Sequence, residues 1–308
     1  MTELQTSERR RSPDLGMIPD LPRQFGKEFA LELFRRGNFS HHFELKVREA
    51  GEKKILSLPF YLSLGSEFTA AAFSMVCKDF MIFAQHRCHS TYLSFGGKPE
   101  GLRDELLGLP SGCAGGMAGS NAIHAPEVKM FGHSGLMGEQ VPIAVGAAAG
   151  SGKPVLTICG DASVEEDYIY PSLGWAATKK LPVLFVCEDN NLSILTPVSV
   201  RRKWSPADVA QSLGIPAVEI TDDPWLIAHH AQNMVKNQLP GFINIQTVRV
   251  LWHAGPGNDG PPEWDRYKLV VEQLQELGLG SELRRIDTDN QRKANDLWDS
   301  QLHKQSKK

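Results

Sequence analysis

Regular patterning begins at Lys27, from which apolar residues recur at helical spacing through Arg36 (Phe29, Leu31, Leu33, Phe34). Ser66 is placed to cap a second helix through Ala70, Phe73 and Val76. Uninterrupted apolar runs of the buried-strand kind follow at Phe80 to Ala84, Val155 to Cys159, Val183 to Cys187 and Phe242 to Val250. Segments long enough for crossover helices separate them, one resuming helical pattern around Tyr168, so the alternation predicts an α/β fold with a mostly parallel sheet flanked by helices. The polar stretch from Glu282 to Lys308 reads as a surface helix with a frayed end. The expected division is a flexible arm over 1–25, one principal domain over 26–283 with a helical lead-in, and a polar helical extension over 284–308.

Composition narrows the partners. Among 308 residues, 33 basic and 36 acidic side chains leave a net charge of −3, and 41% of positions are hydrophobic, as in ordinary soluble chains. Nucleic acid is not an expected partner. No apolar run approaches the roughly 20 residues that span a bilayer, so no membrane association is expected. The first residues lack the pattern of a secretory signal, and Glu3 and Glu8 flank Arg9-Arg10-Arg11, which argues against a transit peptide. The five cysteines lie far apart without a CxxC pair, so neither a disulfide framework nor a zinc ribbon is indicated and a reducing cytoplasm is the expected location. Between Gly96 and Gly119 glycine is dense, which suits either a mobile connector or a backbone that approaches a ligand closely.

The most informative chemistry lies at two strand ends. Val155 to Cys159 runs into Gly160-Asp161-Ala162-Ser163, a strand-to-helix turn at a carboxyl edge, where ligands of open parallel sheets bind and free N–H groups attract phosphate. Asp161 there can hold a cation that bridges to phosphate. The next strand ends in Asp189-Asn190-Asn191, which brings an amide oxygen to the same edge. A carboxylate plus an amide oxygen suits magnesium, which takes few protein oxygens and completes its octahedron with water and phosphate. A lone Gly-Asp pair is more often a cap or turn. His86 and His89 also stand at a metal-ligand spacing, but no third ligand accompanies them.

Gly160-Asp161-Ala162, followed after residues 163–189 by Asn190-Asn191 and then Leu192-Ser-Ile-Leu-Thr-Pro197, resembles the thiamine-diphosphate fingerprint. From about Phe29 to Trp298 the chain resembles the alpha subunit of the thiamine-diphosphate-dependent first component of 2-oxo-acid dehydrogenases of the pyruvate, branched-chain and acetoin types. The resemblance implies thiamine diphosphate and Mg²⁺ as cofactors, with the metal on Asp161, Asn190 and the carbonyl of Leu192, and cofactor contacts from Gly160, Ala162, Ser163 and Ile194. Gln85-His86-Arg87-Cys88-His89 resembles the segment whose arginine grips the diphosphate, which assigns that role to Arg87, with His86 in place of a family tyrosine. Gly132 to Pro142 resembles the segment whose backbone, at Gly135 and Met137, bonds the aminopyrimidine, with Met137 as the wedge that bends the cofactor; core filling is the alternative use of that methionine. His133 sits where a polar residue could face substrate, an exposed loop histidine being the alternative reading. Thr247 to Gly260 resembles the strand and loop that carry an arginine and a histidine at the channel mouth, which makes His253 a catalytic and cofactor-binding residue, while Arg249 is equally suited to a structural pair. Gly255 to Pro262 then resembles a loop that orders around ligand.

Three departures stand out. Ala162 replaces the third fingerprint glycine, at a cost of about 1 to 2 kcal/mol if that position needs positive φ. Asp167 adds a charge unhelpful near diphosphate unless it faces solvent, and Ala254 replaces the serine that some members phosphorylate. The reading implied is a 2-oxo-acid decarboxylase subunit passing its acyl group to a lipoyl-bearing acyltransferase or another acceptor. Only the diphosphate and metal residues are found, so a beta-type subunit in a two-alpha, two-beta assembly is expected to supply the activating glutamate; Glu139 and Glu67 are the tempting substitutes in this chain. The alternatives are the amino-terminal half of a split transketolase and a silent scaffold subunit.

Overall fold

The computed structural model describes residues 17–56, 59–132, 135–255, 257 and 264–305. A lead-in of three helices, α1 (Leu21–Phe25), α2 (Lys27–Glu52) and α3 (Glu67–Val76), precedes strand β1 (Met81–Phe83). Helices α4 (His89–Ser94) and α5 (Pro99–Leu106) lead to β2 (Met130–Phe131), α6 (Gln140–Ser151) to β3 (Val155–Gly160), and α7 (Ile169–Lys179) to β4 (Val183–Asp189). A small hairpin, β5 (Leu192–Ser193) with β6 (Thr196–Pro197), continues into α8 (Val198–Arg201) and α9 (Pro206–Ser212). Strand β7 (Ala217–Thr221), α10 (Pro224–Val235), β8 (Gly241–Gln246), α11 (Arg266–Glu276) and α12 (Gly280–Gln305) complete the described fold.

Six strands form one sheet in the order β2-β1-β3-β4-β8-β7, with every pairing parallel. Both faces are covered, which is why its central strands read as unbroken apolar runs. Leu156, Ile158, Leu184, Val186, Ile243 and Ile245 pack under α2, α3, α10 and α11, while Val155, Cys159, Val183, Phe185 and Phe242 pack under α6, α7 and α9. The chain leaves β1 for β2 on one side and returns to β3 on the other. That reversal opens a crevice beyond the carboxyl ends of β1 and β3, the ligand-binding position of open α/β sheets.

The elements differ from the sequence expectation at particular places. Helix α2 runs on past Arg36 to Glu52; the polar residues buried along it (Asn38, Ser40, His42, Glu44) interrupt the apolar pattern that would have shown its length. Ser66 precedes α3 without capping it: its hydroxyl donates to the Ser63 carbonyl, and the Glu67 carboxylate instead accepts from the Gly65 N–H at 2.7 Å. Strand β8 stops at Gln246 rather than Val250. Helix α12 lies on α2 and buries Leu283, Ile286, Ala294 and the whole of Trp298, so its polar composition hides an inward stripe. Among the described residues no helix is long and apolar enough to cross a membrane.

The glycine-rich segment is an ordered loop built around a carboxylate. Glu105, wholly buried at the end of α5, accepts from the N–H groups of Ala114, Gly116, Ala118 and Gly119 at 2.7–3.1 Å. A Cβ at Gly112 would lie 2.6 Å from the Glu105 Cα, so glycine serves there to let backbone pass an internal anion.

Candidate active site

A cavity of about 250 Å³ opens beyond the carboxyl ends of β1, β3 and β4, lined by His86, Arg87, Met137, Gly160, Asp161, Ala162, Ser163, Asn190, Leu192, Ile194 and His253 together with Gln85, Ser193 and Arg249. Of the residues singled out in the sequence, these eleven come together. Gly135, at φ +96°, is not among the lining residues, and His133 lies outside the described residues, as do residues 1–16 of the arm and most of the Gly255–Pro262 loop.

Strand β3 delivers Asp161 almost fully buried, then turns through Ala162 at φ −83° and ψ −40°, ordinary right-handed backbone. The anticipated penalty for alanine is therefore absent. Asp167 is exposed, which removes its charge from the cavity. The Asp161 carboxyl is pushed up by burial and by Asp189, against the pull of Arg201 and Arg202. Arg201 donates to its Oδ2 and also lies 3.1 Å from Glu165, while Arg202 donates to the Asp161 carbonyl, to Glu165 at 2.5 Å and towards Asp189 at 3.4 Å. Two guanidiniums thus face three carboxylates at the rim of the crevice.

Beyond β4, Asn190 Oδ1 accepts from the Leu192 N–H at 3.2 Å and Asp189 Oδ1 from the Asn191 N–H at 2.9 Å, turns that fold the chain into the β5–β6 hairpin. The hairpin brings Leu192, Ser193 and Ile194 over the cavity. Ile194 does so at φ +53°, a left-handed conformation that a β-branched residue rarely adopts.

The opposite wall is cationic. Arg87 donates to the carbonyls of Leu62 at 2.6 Å and His253 at 3.1 Å. Burial and the neighbouring Arg249 push its guanidinium down to about 10, opposed by Glu188 and Glu44. Burial, Arg87 and Arg249 likewise hold His253 below the ordinary imidazole range. Tyr61 stands edge-on to both histidines, its ring 4.6 Å from His86 and 5.3 Å from His253, with the histidines 5.4 Å apart. Below them Gln85 donates to Glu188, whose carboxyl burial pushes up to about 7. The Met137 side chain is partly exposed at the mouth, and its carbonyl accepts from the Tyr168 hydroxyl, a partner that any ligand using that carbonyl must share.

Asp161, Asn190 and Leu192 carry oxygens, the hard donors a magnesium ion takes, and Arg87 and Ser163 line the same cavity; these residue types fit the expected group. Among the described residues no cluster of three or more His, Cys, Asp or Glu side chains encloses a metal by itself. His89 is instead bonded to Glu44 and Ser120. Neither Glu139 nor Glu67 lines the cavity, and Glu67 is buried against His41.

The dehydrogenase E1 component profile matches residues 43–255, the span from α2 to the mouth of this cavity. The chain belongs to the dehydrogenase E1 component family. It is 28% identical over 244 residues to the pyruvate dehydrogenase E1 component subunit alpha of Rickettsia bellii, covering 75% of this chain and 73% of that one. Against the subunit of the same name from Zymomonas mobilis it is 27% identical over 271 residues, 81% and 77% of the two chains. The mitochondrial subunit alpha of Dictyostelium discoideum is 31% identical over 151 residues, 47% of this chain and 40% of its own. This E1 chain is thus of the alpha type, thiamine-diphosphate-dependent and acting on 2-oxo acids, and the split-transketolase alternative is not favoured. The β1 and β3 ends were legible in the sequence; Tyr61 and the Arg201-Arg202 pair were not. Tyr61 sits in an irregular segment, and a basic pair after a hairpin looks like solvated surface.

Proposed function

We propose that this E1 chain is the diphosphate- and magnesium-binding half of an active site completed by a beta-type subunit, in a two-alpha, two-beta assembly. The observation that carries this reading is the single crevice holding Asp161, Asn190 and Leu192 against Arg87 and His253. Asp161, Asn190 and the Leu192 carbonyl hold Mg²⁺; Arg87 and the N–H groups after Gly160 hold the diphosphate through charge-assisted bonds. Thiamine diphosphate, when bound, supplies the electron sink for loss of CO₂ from the 2-oxo acid. Neutral His253 at the mouth positions the acyl acceptor, a lipoyl group on an acyltransferase, and Met137 wedges the cofactor. The five free thiols, four of them buried, favour a cytoplasmic setting.

The test follows CO₂ release from a panel of 2-oxo acids, with thiamine diphosphate and Mg²⁺, by the chain alone and with a co-expressed beta-type subunit. Release only from the pair is expected. Robust turnover by the chain alone overturns the half-site, and failure to bind thiamine diphosphate in a calorimeter even with the partner leaves the scaffold alternative standing.

A further inference from the structure

Behind the cationic wall lies a buried chain of hydrogen bonds that the cofactor reading does not use. His89 Nδ1 is 2.7 Å from Glu44 Oε1, and His89 Nε2 is 2.7 Å from Ser120 Oγ. All three residues are wholly buried. The order carboxylate, imidazole, hydroxyl is that of a hydrolytic triad, yet Ser120 has no exposed surface and its oxygen already accepts from the Tyr61 N–H at 3.1 Å. The arrangement therefore cannot attack a substrate. It holds backbone.

What it holds is the strap Tyr61-Leu62-Ser63. Ser120 takes the Tyr61 N–H at one end; Glu44 takes the Ser63 N–H at 3.3 Å and the Ser63 hydroxyl at 3.1 Å at the other. Ser63 Oγ in turn accepts from the Ser90 N–H at 3.1 Å, which ties the strap to the start of α4. Between these pins, the Leu62 carbonyl receives Arg87, and the Tyr61 ring packs on His86 and His253. Arg87 has alternatives, because both Glu188 and Glu44 attract it. The Leu62 carbonyl is one of two that hold the guanidinium, the other being that of His253 at 3.1 Å, so a displaced strap releases one of its two bonds and leaves it freer to turn to those carboxylates.

We propose that Glu44, His89 and Ser120 form a positioning relay that clamps the Tyr61–Ser63 strap and through it aims Arg87, His86 and His253 at the diphosphate end of the cavity. The proposal rests on the cofactor reading of that cavity. None of the three touches the ligand; they act through Leu62 and Tyr61.

The experiment measures calorimetric affinity for thiamine diphosphate, with Mg²⁺, of the full chain in its complex with the beta-type subunit, for Ser120→Ala, Glu44→Gln, Glu44→Ala and Arg87→Ala and for each relay variant combined with Arg87→Ala. Ser120→Ala and Glu44→Ala are expected to weaken binding about tenfold, as for one net hydrogen bond, and Glu44→Gln, which can still accept from Ser63 and donate to His89, restores most of it. In the Arg87→Ala background the relay variants lose distinctly less than in the native background, the remainder being the share of His86 and His253, a non-additivity that general loosening of the fold does not produce. Additive losses, or wild-type affinity in Ser120→Ala, overturn the relay. An Arg87→Ala variant that binds as wild type removes the cofactor reading of Arg87 as well, so the two failures are distinguishable. Should Glu44→Ala not fold, Ser120→Ala, which deletes one oxygen, decides.

Discussion

Ala162 and Ile194 show how single residues divide the backbone work of the site. Because Ala162 is right-handed, Ala162→Gly restores nothing: we expect unchanged cofactor affinity and a loss of roughly 0.5–1 kcal/mol in denaturant unfolding from added chain entropy. Ile194 is the reverse case, exposed at 58% and left-handed, so strain of about 1 to 2 kcal/mol is held at the cavity wall. Ile194→Gly should leave the protein equally or more stable while weakening cofactor binding; reduced stability with unchanged affinity would count against a functional strain. Asp161→Ala and Asn190→Ala are each expected to abolish Mg²⁺-dependent binding with circular dichroism unchanged, and Arg87→Ala to weaken it about ten- to a hundredfold, the effect of one charge-assisted contact. His253 stays neutral at pH 7 because its folded pKa is lowered, so the folded chain loses stability as pH falls below the ordinary imidazole range. An NMR titration of the free chain should place its midpoint below that range, and replacing Arg249 by glutamine should move it up.

Elements were legible where one physical signal acted alone. Strands β1, β3, β4 and β8 are buried on both faces and read as apolar runs, whereas β2 has two residues and the first three residues of β7 are only half-buried, so neither left a pattern. The same logic applies to the site: Asp161 and Asn190 follow strand ends and could be found, but the strap residues Tyr61 to Ser63 come from an irregular segment whose place is fixed by partners distant in sequence. The buried Glu44 that holds it is also one of the polar residues that hid the length of α2. The 111–119 loop was open to two readings because glycine density alone does not name the anion it wraps. Glu105 resolves that choice, and Glu105→Ala, which strands four N–H groups, should cost at least about 3 kcal/mol in urea unfolding. A cost under about 1 kcal/mol would mean the loop is held some other way.

For the whole molecule, the sheet reversal between β1 and β3 gathers residues from five segments into one crevice, and the charges there are arranged in two opposed walls, anionic under the hairpin and cationic under the strap. The contact between Arg201 and Asp161 has a kinetic side. A cation that takes both oxygens of Asp161, or the face Arg201 covers, must wait for the guanidinium to rotate away from the carboxylate. For the magnesium site proposed above, uptake is therefore expected to be paced by that rotation rather than by collision. Trp204, whose ring lies 5.2 Å from the guanidinium carbon of Arg202, is linked to the movement through Glu165, which Arg201 and Arg202 share, and is the expected reporter. In stopped-flow fluorescence the observed rate should level off as Mg²⁺ is raised in the native chain, climb without a plateau in Arg201→Gln, and vanish as a signal in Trp204→Phe; a linear dependence in the native chain would show that the arginine gives way freely.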